Sequence, residues 1–242
     1  MDTDVRLRLL KGEPIPLGRI GYIYLPSLGE ITEIGYENFL KYMNTFTMNE
    51  STIEKAEMSY YSFLVEGSKI NDDLKELASK SMSFFLRKEV KYSKAINAFY
   101  VLEDNNEEQK KKTILIDEDS FNFLKKIVKL QVDIEGEDVT EDNPANEKAK
   151  ELLRKKREAK EKVARAKQKH DHSEPLDLAD LVSILSVNSN INILQVWDLN
   201  LYVFYNQFRR LQLLDEYETS LKALFAGAKS DKVDLKDWRK HI

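Results

Sequence analysis

The chain contains no cysteine. Disulfides, thiol nucleophiles and thiolate metal sites are thereby excluded, and a reducing cytosolic setting is the expectation. Glycine, with 8 residues, proline, with 5, and histidine, with 3, are sparse in 242 residues, and the glycines are scattered. No P-loop, dinucleotide fingerprint or nucleophile elbow can be assembled from them, so the sequence offers no phosphate cradle. Long apolar runs are missing as well. The longest, around Ile191 to Tyr205, is broken by Gln195, Asp198 and Asn200, too short and too polar to span a bilayer. The opening residues, MDTDVRLRLL, begin acidic, where a secretory signal would be basic and then apolar. The expectation is a soluble intracellular protein that makes no membrane contact.

Charge is abundant but balanced. Charged residues make up 33% of the chain, above the usual quarter or so, yet 42 acidic against 38 basic side chains leave a net charge of −4. Attraction to nucleic acid would therefore have to come from a local patch.

The apolar pattern predicts a mainly α protein with minor β structure. Val5, Leu7 and Leu9 alternate with arginines, KGEP turns the chain, and Ile20, Tyr22 and Tyr24 alternate again, a period of two that predicts an amino-terminal hairpin. Ser27 followed by Glu30 fits a capping box, with Ile31 and Ile34 opening a helix and Gly35 a break. Helical spacing resumes at Tyr36, Phe39, Leu40 and Met43, and further helices are expected over 53–65 and 71–89. NAFYVLED and KTILIDE suggest a second hairpin, and Asp119 or Ser120 would cap a helix carrying Phe121, Leu124, Ile127 and Leu130.

At Asp133 the composition shifts to DIEGEDVTEDNP, acidic and punctuated by glycine and proline, which reads as a linker. It leads to a charged helix former with a thin seam of Ala149, Leu152, Ala159, Val163 and Ala166. After Pro175, Leu178, Leu181, Val182 and Leu185 share a helical face, and Gly227 is placed to end the last helix. The expected division is an N-terminal α+β domain (1–132), an acidic linker with charged helix (133–172), and a C-terminal helical domain (173–242).

Few groups carry chemistry. His170, Asp171 and His172 could donate to a metal, but their spacing does not suit one helical face and no third distant ligand stands out, so neither metal nor cofactor is expected. The chain is read as a non-enzyme. Basic residues between 148 and 169 alternate with Glu151, Glu158 and Glu161, giving pairs such as Glu151 with Lys155. A solvated helix is the favoured reading, and a nucleic-acid-binding or regulatory module on 148–169 is the alternative.

The stretch WDLNLYVFYNQFRRLQ, residues 197–212, concentrates aromatic side chains. Leu194, Trp197, Leu201, Phe204, Tyr205, Phe208 and Leu211 fall on one helical stripe. Such a stripe is core, or core shared with a partner surface, and both readings stand at this point. Trp197, Phe204, Tyr205 and Phe208 form the stripe itself. Tyr202, Arg209 and Arg210 lie off it and are the candidate partner-binding residues, since aromatic and arginine side chains are favoured interface anchors.

Three blocks, LLKGEPIPLGRIGYIYLPSLGEITEIGYENFLKYMN, DSFNFLKKIVKLQ and DLVSILSVNSNINILQVWDLNLYVFYNQFRRLQ, together resemble the tail assembly chaperones of bacteriophages of Gram-positive bacteria. The likeness extends over nearly the whole chain, including the charged EKAKELLRKKR segment, and its specificity lies in the combination of blocks. It implies a factor of the host cytoplasm, absent from the mature virion, that binds the hydrophobic tape measure protein, prevents its aggregation and helps recruit tail tube protein. Self-association is left open.

Overall fold

The computed structural model describes residues 3–47, 58–104, 111–132 and 176–229, with Val233, Leu235 and residues 237–239. The acidic linker, the charged helix, His170, His172 and His241 lie outside the described residues. The fold is mainly α with minor β, as the sequence predicts.

The first departure comes at once. Residues Thr3–Lys11 form helix α1, not a strand. Val5 packs against the core and Leu9 is buried, while Leu7 is exposed. The i,i+4 pair of Val5 and Leu9 therefore overrides the apparent period of two, with Asp4 in the first turn and Arg8 and Lys11 in the last suiting the helix dipole. The amino-terminal hairpin instead pairs β1 (Ile15–Leu17) with β2 (Gly21–Ile23). Ile15, Leu17 and Ile23 point inward.

The capping box is present as expected. The Glu30 amide donates to Ser27 Oγ at 3.1 Å, and the Ser27 amide donates to Glu30 Oε2 at 2.8 Å. Helix α2 (Leu28–Ile34) ends at Gly35, and α3 (Tyr36–Thr47) follows. Helices α4 (Tyr60–Ile70) and α5 (Asp72–Leu86) are divided by Asn71, whose side chain caps α5 by accepting from the Leu74 amide.

A three-stranded antiparallel sheet follows, ordered β3 (Val90–Ser93), β4 (Ala98–Asp104) and β5 (Lys111–Leu115). Strands β4 and β5 are the expected second hairpin. Strand β3 begins next to the point where the sequence pattern would still extend the preceding helix. Its register puts Val90 opposite Val101 and Val101 opposite Ile114, so one buried face runs across all three strands. Helix α6 (Glu118–Val132) starts just before the expected cap, because Asp117 Oδ1 accepts from the Ser120 amide.

Helices α3, α4, α5 and α6 converge on a cluster of rings. Phe46 packs edge-on against Phe85 and stacks with Phe121, which also meets Tyr60 and Tyr61. Burial of one such ring contributes about 1.5–3 kcal/mol, so the cluster anchors this half of the molecule. The Thr45 and Ser81 hydroxyls pair at 3.0 Å between α3 and α5, which satisfies two polar groups inside the apolar packing.

Candidate functional site

Among the described residues the carboxyl-terminal third consists of α7 (Leu178–Ser189), the single turn α8 (Ile193–Val196) and the long α9 (Leu201–Phe225). Asp177 opens α7 through a reciprocal capping box with Asp180. Asn190, with φ 52°, closes it. Val182 and Leu185 are buried, and Leu178 and Leu181 pack beside them, the amphipathic face expected from their spacing.

The aromatic stripe is not one helix. Trp197 follows α8, the chain becomes extended at Asn200, and α9 begins only at Leu201. Leu194, expected on the stripe, is 72% exposed. The break has a tertiary cause. Residues 197–201 run beside 26–29: the Leu28 amide donates to the Leu199 carbonyl at 3.0 Å, Gly29 to Trp197 at 2.9 Å, and Leu201 to Pro26 at 3.2 Å. These bonds occupy two of the free amides at the start of α2, a site that any helix must satisfy.

Asn200 is the centre of this strap. Its Oδ1 accepts from the Val203 amide at 2.9 Å, capping α9, and its Nδ2 donates to the Leu9 carbonyl of α1 at 3.1 Å. A Cβ on Gly12, whose φ is +76°, would lie 3.2 Å from that same Nδ2, so both the turn and the close approach favour glycine there. The contiguous apolar core runs from Leu9 to Phe208, with Val182, Leu201 and Phe204 in the same cluster as Phe46 and Phe121. Residues of 1–132 and 173–242 thus share one core.

The stripe residues can now be placed. Phe204 and Phe208 are buried and stacked on one another, with Tyr205 edge-on to Phe204. Trp197 and Tyr205 are partly buried against the core. Burial, followed by the nearby Tyr36, pushes the Tyr205 hydroxyl above the ordinary tyrosine range. Of the candidate partner residues, Tyr202 is half-buried and packs on the core. Arg209 is half-buried and makes a long 3.5 Å contact from Nη1 to Gln212 Oε1. Arg210 Nη1 donates to the Trp238 carbonyl at 2.8 Å, a contact with the chain's own tail that no local pattern announces.

Beyond Leu213 helix α9 changes character. Leu213 is its last buried residue. Leu214, Tyr217, Leu221 and Leu224 are half-buried, and Phe225 is 86% exposed. The helix ends in a Schellman turn: the Ala228 amide donates to Ala223 and the Gly227 amide to Leu224, each at 3.0 Å, with Gly227 at φ +94°. Gly227 thus ends this helix, as its place in the sequence predicts.

A shallow groove of about 440 Å³ lies between α5 and the three-stranded sheet, with Asp72, Lys75, Glu76, Lys91 and Lys94 on its walls. Its charges neutralise one another locally: Lys75 Nζ lies 2.5 Å from Asp72 Oδ1, and Glu76 is paired with Lys80. The Lys75 ammonium holds the Asp72 carboxyl below its ordinary range. Among the described residues no group of three or more histidine, aspartate or glutamate side chains is placed to hold a metal ion, and no helix is long and apolar enough to cross a membrane.

Residues 166–242 match the family model of the YomV second domain, a phage-derived family. The matched segment takes in α7, α8, α9 and the tail that returns to Arg210. No curated protein and no solved structure matches the chain.

Proposed function

We propose that the protein is a phage tail assembly chaperone. It binds the tape measure protein, keeps that long apolar client from aggregating, and helps recruit tail tube protein in the host cytoplasm. The observation that carries this reading is the phage-derived match over 166–242, the segment that holds the aromatic helix and the strongly exposed apolar side chains Val187, Leu194 and Phe225. The resemblance of the three sequence blocks to tail chaperones points the same way. On this reading the protein works by binding, without catalysis, cofactor or metal.

The test is co-expression with the tape measure protein of the same phage. Soluble tape measure protein that co-purifies with this chain, and that precipitates when the chain is omitted, is the expected result. Equal solubility with and without it, and no co-purification, would defeat the reading.

A further inference from the structure

Beyond Gly227 the tail meets α9 again at Trp238. The reach is sufficient: from Arg210 to Gly227 the helix rises about 26 Å, and the segment from Gly227 to Trp238 can extend about 36 Å. Its arrival is fixed by Arg210 Nη1, which donates to the Trp238 carbonyl at 2.8 Å. Arg210, Leu213, Leu214 and Tyr217 fall at i, i+3, i+4 and i+7, on one face of α9. Leu213 on that face is 1% exposed, although it lies outside the main apolar cluster. Trp238 and Val233 of the tail are half-buried.

We propose that this outer face of α9 is a binding surface for a short apolar segment with an aromatic anchor, covered in the free protein by the chain's own tail. The tail displays the chemistry the face accepts. Trp238 is the half-buried apolar side chain of that segment, and Arg210 donates to its main-chain carbonyl, a bond that any sequence can make. The occupant in the free protein is the tail at residues 237–239. In a complex the tail is replaced by a client segment of the same kind, and naming that client as the tape measure protein rests on the function proposed above.

The test uses full-length protein and a labelled synthetic peptide of residues 228–242. In the parent, the tethered tail competes at an effective concentration in the millimolar range. The Trp238→Ala protein, checked for an unchanged circular dichroism spectrum, should therefore bind the peptide saturably and about 100-fold more tightly than the parent. Adding Tyr217→Ala, or placing alanine at the peptide's own Trp238, should abolish capture. No binding to the folded Trp238→Ala protein, or equal binding to parent and variant, overturns the proposal. A tape measure fragment forms the second arm. It should bind Trp238→Ala at least about tenfold more tightly than the parent and be displaced by the peptide. Equal binding to both proteins removes the client from this face. Peptide capture with no tape measure binding by any variant overturns the chaperone reading and leaves the covered face standing.

Discussion

Asn200 Nδ2 donates to the Leu9 carbonyl across 191 residues of sequence, while the same side chain's Oδ1 caps the helix that begins beside it. One buried amide thus sets both the start of α9 and its attachment to α1. Replacement by alanine removes the cap and leaves the Leu9 carbonyl without this donor. Asn200→Ala should cost about 2–3 kcal/mol, read as a shifted urea midpoint with an unchanged slope. Asn200→Ser, which keeps a capping oxygen but cannot span to Leu9, should recover about 1 kcal/mol. A serine variant no better than alanine would show that the cap contributes nothing.

Phe204 and Phe225 occupy opposite ends of α9 and should behave in opposite ways. Phe204→Ala empties a fully buried site against Phe208 and Tyr205, and should cost about 3–5 kcal/mol. Phe225→Ala, at an 86% exposed position, should stay within about 0.5 kcal/mol of the parent. Thermal melts of the two variants make the comparison. A large loss from Phe225→Ala would mean that this ring is covered in solution.

The sequence is most legible where a side chain and its backbone partner are neighbours. Ser27 with Glu30, the break at Gly35 and the end at Gly227 all depend on contacts within a few residues, so residue type nearly dictates them. The amino-terminal helix escapes a reading by pattern because Val5, Leu7 and Leu9 satisfy two periodicities at once, and only packing selects Val5 and Leu9. The break before Leu201 is hidden for a stronger reason. Residues 194–211 carry a continuous helical stripe, and the extended step at Asn200 is stabilised by main chain of residues 26–29 and by Leu9, none of them local. The same holds for the candidate partner residues: residue type nominates Arg210, but its bond to the Trp238 carbonyl depends on a tail that folds back.

Tyr61 predicts an alkaline limit. Its hydroxyl donates to the Ile116 carbonyl, and burial pushes its pKa up to about 12 from an ordinary 10.0. The folded state therefore resists the loss of this proton while the unfolded chain gives it up. The contribution is fully present below pH 10.0, and is lost as pH rises from there through about 12. Denaturation midpoints should fall across that window, and Tyr61→Phe should fall less steeply than the parent. Parallel curves would assign the alkaline limit to other groups.

Gly227 joins the helix end to the tail. Its φ is +94°, and nothing lies within 4 Å of the place a Cβ would take, so Gly227→Ala meets backbone strain alone and should cost about 1 kcal/mol. Because the turn directs the tail back to Arg210, the variant should also expose Trp238, seen as stronger acrylamide quenching of its fluorescence in a Trp197→Phe background. Unchanged quenching would show that the tail finds its place without the turn.

Tyr202 and Arg209 decide whether the core-facing half of α9 also meets a partner. Tyr202 packs on the core while half-buried, so Tyr202→Ala should lower stability by about 1–2 kcal/mol through lost apolar contact. Arg209, whose contact with Gln212 is a long one, should tolerate Arg209→Ala within about 0.5 kcal/mol. Stability and binding can therefore be separated at Arg209 in a way that Tyr202 does not allow. If this face takes part in holding the tape measure protein, Arg209→Ala should weaken capture by about tenfold or more, since an arginine anchor can contribute about 2 kcal/mol, with the melt unchanged. Tyr202→Phe supplies the matching control, because it keeps the packed ring and removes only the hydroxyl. Capture by Arg209→Ala as tight as by the parent would leave the client to the outer face of Arg210, Leu214 and Tyr217.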